Sequence, residues 1–408
     1  SQRYAIETMV NLNRRGYRAD LFSSNYFPEV CYPELLSDQK VNAFQKHESQ
    51  PLNRSIFRSK YPKIYGLLFI TGIYALLRIF RDWRVNSKVV ALILELEKEQ
   101  NSSYDIIYLH EASQYNRLAK TFKKLGRKTY LFCYDTPDKS LSWQTQGLSF
   151  LFLHKLFIKL ASVFDVLIVK NYIDQVFVLD ATMEEKTINY YGIRPSIIYG
   201  GIDLNVFHSG NSDLLIQKFD LKPGTIIVSN VTRLVPYRRV HDLFAACYEL
   251  PKETRGQFYL YINALDEDEV YTRELKIKYA DLLYPVGNII IDHELSSSDI
   301  YLANIYKSSD AFIFPNENQT WGNAVLEAMA CGVCVCVSDS CGISEIIKHK
   351  ENGLVFPCGD IDSISEFLSD LVLDLVKYKG IGAEAEIHIK EKFSWDVWTD
   401  AHLSKFEI

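Results

Sequence analysis

Ala311-Phe312-Ile313-Phe314-Pro315, then Asn316-Glu317-Asn318-Gln319-Thr320-Trp321-Gly322, then Asn323-Ala324-Val325-Leu326-Glu327-Ala328-Met329-Ala330-Cys331-Gly332, is the stretch whose reading decides the fold. It reads as a short buried strand closed by proline, a polar loop, and a helix that Asn323 caps and Gly332 ends. That is half of a βαβ unit. The polar residues crowd into the loop and the first helical turn, where free backbone N–H groups and the helix dipole attract an anion such as phosphate. Glu327 is the one acid among Ala, Val, Leu and Met on a helix otherwise fit for burial, and a buried carboxylate needs partners. Sugar hydroxyls would serve; so would a neighbouring loop or an arginine.

The same alternation extends in both directions. Upstream, the sequence predicts a strand over Thr225–Val231, then Thr232-Arg233-Leu234-Val235-Pro236-Tyr237-Arg238-Arg239-Val240. Here Arg233 and Arg238 flank a proline turn between strand and helix, and two planar guanidinium forks so placed can close on a diphosphate. A strand over Gln257–Asn263 runs into the acidic Asp266-Glu267-Asp268, read as a solvated loop before a helix over Val270–Leu282 and not as a metal site. A strand over Ile289–Asp292 leads to His293-Glu294-Leu295. Further helices are predicted over Ile361–Tyr378 and Ala383–Lys392, with a last one reaching Phe406 and capped by Ser394.

The N-terminal half keeps the rhythm. The pattern predicts a helix from Ser1 to Arg14 and strands over Tyr17–Phe22, Asp105–His110, Thr129–Cys133, Gln175–Leu179 and Ser196–Tyr199. Helices are predicted over Ser113–Leu125, Leu148–Val163 and Ala181–Tyr191, the last ended by Gly192. After Cys133 comes Tyr134-Asp135-Thr136-Pro137-Asp138, a polar turn at the carboxyl end of a parallel strand, where such folds place ligands.

The run from Phe314 to Gly332, with Gly342-Ile343-Ser344-Glu345-Ile346-Ile347 and Asn352-Gly353-Leu354-Val355-Phe356-Pro357, resembles the C-terminal domain of the retaining nucleotide-sugar glycosyltransferases of family four. The resemblance implies an α/β protein of the GT-B fold, two Rossmann-like domains facing across a cleft. The expected boundaries are 1–200 for an acceptor-side domain, 201–393 for a nucleotide-sugar-binding domain, and 394–408 for a final helix crossing back. Gly200-Gly201-Ile202-Asp203 with Phe207 resembles the family's interdomain segment.

The resemblance also implies roles. Arg233 and Arg238 would stabilise the leaving diphosphate, with Arg238 at the family's lysine position. Glu327 would hold the ribose hydroxyls, and Gln319, Thr320, Trp321, Gly322 and Asn323 the sugar and phosphate, with Gln319 standing where the family has its first glutamate. His293, Glu294 and Leu295 would line the base. Asp135 stands in the slot of a family histidine and would face the reacting carbon; as a plain sequence feature it is a turn residue before proline. No metal or other cofactor is expected. The apolar-basic pattern of the N-terminal half is similar to that of lipid-linked-oligosaccharide mannosyltransferases, which implies a hexose, with mannose as one option, and a lipid-linked or cell-envelope glycan acceptor. In that fold a strand and a Gly-rich turn precede the first helix, so a chain beginning at Ser1 reads as a fragment.

Composition bounds the alternatives. A chain of 408 residues, 48% hydrophobic and 24% charged, is globular and long enough for two cores. The net charge of −6 argues against nucleic acid as a general partner. The 8 cysteines are irregularly spaced and suit a reducing, cytoplasmic compartment. Among them Cys331, Cys334, Cys336 and Cys341 read as small buried hydrophobes, with no second pair to complete a zinc site. Ile64–Leu77 is apolar and free of charge, bracketed by Arg58, Lys60 and Lys63 and by Arg78, Arg81, Trp83 and Arg84. It falls short of the roughly twenty residues that span a bilayer as a helix. It reads either as a helix lying on an anionic, cytosolic membrane face or as a core helix of the N-terminal domain.

Overall fold

The computed structural model describes residues 2–23, 41–43, 73–110, 116–134, 151–293, 299–317 and 321–406. Twelve strands are described, all in parallel ladders: β1 (Leu21–Ser23), β2 (Val41–Ala43), β3 (Ile106–His110), β4 (Lys128–Phe132), β5 (Gln175–Val178), β6 (Ser196–Ile197), β7 (Ile226–Leu234), β8 (Phe258–Glu267), β9 (Ile289–Asp292), β10 (Ala311–Phe314), β11 (Cys334–Ser338) and β12 (Leu354–Phe356). Contacts divide the chain into two units. One comprises residues 1–198 and 399–408, the other residues 199–398.

The N-terminal unit holds the four-stranded sheet β3-β4-β5-β6 and the short pair β1-β2. Its core joins Ile107, Leu109, Leu131, Val176 and Val178 of the sheet to Leu118, Phe122, Val169 and Met183 of the helices Asn116–Lys124, Leu151–Tyr172 and Ala181–Tyr191. The helix Ala181–Tyr191 starts on the side chain of Asp180, which accepts from the Met183 N–H, and ends on Gly192 in the left-handed conformation at φ 63°. The strand expected over Tyr17–Phe22 begins only at Leu21. Asn13 explains the delay: its amide donates to the Ala19 carbonyl at 2.9 Å and accepts from the Ala19 N–H at 2.8 Å, taking up groups that a ladder would need. At the other end of the chain, His402 and Phe406 pack into this unit's sheet face. The His402 ring bonds the Tyr108 hydroxyl at 2.7 Å, and Phe406 stacks on Tyr130 at 5.1 Å.

The C-terminal unit is a six-stranded sheet in the order β12-β11-β10-β7-β8-β9. The chain runs outward from β7 through β8 to β9, returns to the other side of β7 as β10, and runs outward again to β12. This is the doubly wound order, and its reversal falls between β7 and β10, where Ala311 pairs with Val228 and Phe312 with Ser229. β10 and β11 are buried on two faces, which is why they read as apolar runs without alternation. Cys331, Cys334, Cys336 and Cys341 are buried in this unit as free thiols.

Several boundaries differ from the sequence reading. β7 continues to Leu234 because pairing with β8 persists to Leu234↔Glu267, so Thr232 and Arg233 belong to the strand and not to the turn. β8 likewise runs to Glu267 and takes Asp266 and Glu267 out of the expected loop. Asp268 is a helix cap, accepting from the N–H groups of Val270 and Tyr271 at 3.0 Å. The helix expected over Ile361–Tyr378 stops at Leu373, because Asp374 caps a new helix, Leu375–Lys392, through the Lys377 N–H. The final helix is Trp395–Leu403, and Ser394 Oγ accepts from the Val397 N–H at 3.2 Å.

Of the apolar segment Ile64–Leu77, residues 64–72 lie outside the described residues. From Ile73 a helix runs to Glu99 and carries Arg78, Arg81 and Arg84 along its length. Among the described residues, no helix is long and apolar enough to cross a membrane.

Candidate functional site at the strand reversal

In an open parallel sheet the loops leaving two neighbouring strands diverge where the strand order reverses, which opens a crevice at their carboxyl ends. In the C-terminal unit that crevice lies between the loop after β7 and the loop after β10. The arginine pair lies at the end of β7 and on the first of these loops. Arg233 projects exposed from the end of β7, where the ladder with β8 shifts register between Thr232 and Leu234. Such irregularities re-aim a side chain. The chain then makes a single 3-10 turn, Pro236–Arg238, with proline fixing its start.

Tyr237 stands between the two arginines. Its hydroxyl accepts from Arg233 Nη2 at 2.6 Å, and its ring centre lies 5.9 Å from the Arg233 guanidinium and 5.1 Å from that of Arg238. Arg238 is half-buried. Burial lowers its pKa below the usual arginine value, Tyr237 opposes that shift, and repulsion from Arg233 adds to it. Two cations held near one another at the mouth of a crevice, one of them desolvated, favour an anion between them.

Arg239, the next residue, has a different task. Its backbone is left-handed at φ 51°. Its guanidinium grips buried Asp242 through Nε at 2.7 Å and Nη2 at 3.2 Å, and lies 3.7 Å from Glu317. The bidentate pair holds the turn in its uncommon conformation. Of these adjacent arginines, Arg239 serves to hold the turn, while Arg238 packs over the Tyr237 ring.

The loop after β10 is stitched to this turn. Asn316 is fully buried. With its amide oxygen turned to the guanidinium, it accepts from Arg238 Nη1 at 2.7 Å and donates to the Arg238 carbonyl at 3.0 Å. The Glu317 N–H donates to the Tyr237 carbonyl at 3.0 Å, and the Cys341 thiol donates to the Asn316 carbonyl at 3.2 Å. Gln319 and Thr320 lie outside the described residues. Trp321 is buried and its ring stacks on Tyr199 at 5.7 Å.

The helix after this loop is Asn323–Ala330, and its cap is Gly322, not Asn323. Gly322 has the non-helical backbone of a cap at φ −133°, ψ 79°, which makes Asn323 the first helical residue. A Cβ at Gly322 would stand 3.0 Å from Ile343 Cγ2 and 3.3 Å from Phe314, so close packing keeps the position small. One turn along, half-buried Glu327 accepts from the hydroxyl of fully buried Tyr306 at 2.9 Å. Sequence reasoning named Glu327 but missed Tyr306, whose place on the helix Asp299–Lys307 reads as core.

His293 follows β9 with its side chain exposed, Nε2 standing 3.9 Å from Glu267 Oε2 at the end of β8. Glu294 and Leu295 lie outside the described residues, as does Asp135 in the N-terminal unit. The residue before Asp135, Tyr134, follows β4, and its hydroxyl shares a 2.8 Å hydrogen bond with Nδ1 of His110, the last residue of β3. Desolvation, and secondarily repulsion from His402, pushes the pKa of His110 down to about 3. The structure therefore brings Arg233 at the end of β7, Arg238 on the turn after it, Trp321 and Gly322 on the loop after β10, and Asn323 and Glu327 on the following helix around one strand reversal. His293 sits at the end of the sheet's outer strand, β9.

Residues 211–387 match the family model described as glycosyl transferases group 1. A curated relative is the D-inositol 3-phosphate glycosyltransferase of Rhodococcus erythropolis, 25% identical over 235 residues, which cover 56% of this chain and 52% of the relative. The chain thus spans about half the length of the curated relatives it matches. Among solved structures, Anabaena Alr3699/HepE in complex with UDP and glucose superposes with a TM-score of 0.68 at 16% identity, covering 99% of this chain and 95% of that one. Sucrose-phosphate synthase from Thermosynechococcus elongatus gives 0.67 at 15% identity, covering 99% and 91%. The chain accordingly has the GT-B fold, and within it residues 211–387 match the glycosyl transferases group 1 model.

Proposed function

We propose that this chain is a glycosyltransferase that transfers a hexose from a nucleoside diphosphate sugar to a lipid-linked or cell-envelope glycan acceptor, with retention at the anomeric carbon. The observation that carries the reading is the arginine turn after β7, placed at the strand reversal opposite the polar loop and helix start that lead to Glu327. Arg233 and Arg238 offer fixed positive charge to a diphosphate whose charge grows as it leaves, which is the main electrostatic demand of such a transfer. The reading calls on no metal, because the two guanidinium groups supply that charge. Glu327, steadied by Tyr306, holds the ribose hydroxyls. Gln319 to Asn323 hold sugar and phosphate, and His293, Glu294 and Leu295 line the base. Asp135 faces the reacting carbon. With no nucleophile-and-acid carboxylate pair in the sequence, the departing phosphate serves as the base in a front-face displacement.

Two features support the reading from outside the site. The curated relatives bear glycosyltransferase names, and the HepE structure holds UDP and glucose. The uncharged run Ile64–Leu77 between basic clusters suits peripheral contact with an anionic, cytosolic membrane face, where a lipid-linked acceptor would lie. Gln319 and Asp135 favour a second reading, a sugar-nucleotide-binding protein without turnover, because both replace the residues that the family resemblance leads one to expect. A panel of UDP-, GDP- and ADP-hexoses with lipid-phosphate acceptors decides between them. Release of nucleoside diphosphate with an axial-to-axial anomeric outcome by NMR is expected. Binding of the nucleotides with no release under any pairing would establish the silent binder.

A further inference from the structure

We infer that Asn316 is a positioning residue that presents Arg238 to the donor diphosphate. The inference rests on the reading of the arginine turn as a diphosphate clamp. Asn316 follows the strand-closing Pro315, and a small polar residue in a loop would ordinarily face water. Here it is fully buried, and both ends of its amide go to one residue: Oδ1 to Arg238 Nη1 at 2.7 Å and Nδ2 to the Arg238 carbonyl at 3.0 Å. An amide that accepts from a guanidinium while donating to the same residue's backbone fixes both where the side chain starts and where its head points.

A neutral partner is what this position requires. A carboxylate at Asn316 would orient the arginine equally well but would neutralise the cation that the diphosphate needs. Asparagine orients without spending the charge. The link also runs the other way. Asn316 is held by Cys341, and Glu317 by the Tyr237 carbonyl. The turn Pro236–Arg238 and residues Asn316 and Glu317 after β10 are therefore tied together on both sides. Preorganised donors of this kind cost no reorganisation when charge develops.

The test is calorimetry with UDP, GDP and their monophosphates on Asn316→Ala, Asn316→Asp, Arg238→Ala and the double variant Asn316→Ala/Arg238→Ala. For the diphosphate that binds, Asn316→Ala is expected to weaken affinity about tenfold, with a smaller effect on the monophosphate. Asn316→Asp, close to isosteric and checked for folding by circular dichroism, should weaken it further. In the Arg238→Ala background Asn316→Ala should cost nothing more, because its effect passes through that arginine. An equal loss in both backgrounds would make Asn316 merely structural and overturn the inference, as would wild-type diphosphate affinity in Asn316→Asp. If Arg238→Ala itself leaves diphosphate binding unchanged, the clamp falls and the inference with it. If Arg238→Ala weakens binding while both Asn316 variants do not, the functional reading stands and this inference alone fails.

Discussion

The hydroxyl of Tyr306, on the helix before β10, donates to Glu327 Oε2, on the helix after it, across 2.9 Å. Burial, and then the neighbouring carboxylate, raises the tyrosine's pKa well above its usual value, so the hydroxyl remains a neutral donor throughout the working range. One carboxylate oxygen of Glu327 is thereby fixed. Tyr306→Phe should remove this hydrogen bond from Glu327, and nucleoside diphosphate affinity should fall about tenfold. Inorganic pyrophosphate, which lacks a ribose, should bind as before, and calorimetry with both ligands checks the pair.

Gln319 offers a test by restoring an acid. If glutamine is a loss, Gln319→Glu should raise turnover; if it is tuned to this donor, the substitution should lower turnover or change the preferred sugar. Steady-state kinetics over a panel of sugar nucleotides reads both. No change in either would remove Gln319 from the sugar site.

The N-terminal unit should be acid-sensitive through His110. Its folded pKa of about 3 lies below the ordinary unfolded value, so between the two the unfolded chain binds a proton that the folded chain refuses. The associated stability is present above about pH 6.5 and is lost as pH falls toward 3, at no more than about 1.4 kcal/mol per pH unit. His110→Gln should flatten this dependence. Thermal midpoints of both proteins at pH 7.5 and 5.0 measure the difference, and since His241 and His388, which also have lowered pKa values, are present in both, their contributions cancel.

Much of the C-terminal unit was legible because its elements bury whole faces. The strand Ala311–Phe314, the loop and the helix ending near Gly332 follow from an apolar run, a proline and a glycine, and the resemblance of that stretch placed Arg233, Arg238 and Glu327 together. What stayed hidden was set by tertiary contact. The split between Arg238 and Arg239 depends on Asp242 and Glu317, which the turn brings within reach of Arg239. The burial of Asn316 goes with its contacts to Arg238 and Cys341, which the sequence does not bring near it, and Tyr306 looks like any core aromatic until Glu327 is placed beside it. Strand ends were misjudged at β7 and β8 for one reason: polar residues such as Arg233 and Glu267 can still pair through their backbones. In the N-terminal half Asn13 consumed the backbone groups of Ala19, which no alternation pattern reveals.

Membrane contact has a direct check. If Ile64–Leu77 docks on anionic lipid, the protein should sediment with phosphatidylserine or phosphatidylglycerol vesicles and release in high salt. Reversing Arg78, Arg81 and Arg84 to Glu should abolish sedimentation with the fold intact, because each basic residue near such a surface contributes about 1 kcal/mol. A folded wild-type protein that ignores these vesicles would end the proposal, and unfolding by Leu68→Asp would support a core helix instead.

The central claim is that the turn after β7 holds the diphosphate of a sugar nucleotide, and calorimetric titration of nucleoside diphosphate into wild type and Arg238→Ala tests it most directly. The account predicts that the substitution weakens binding by about 1.5–3 kcal/mol, the range for hydrogen bonds to charged groups. Equal affinity in the two proteins would contradict it.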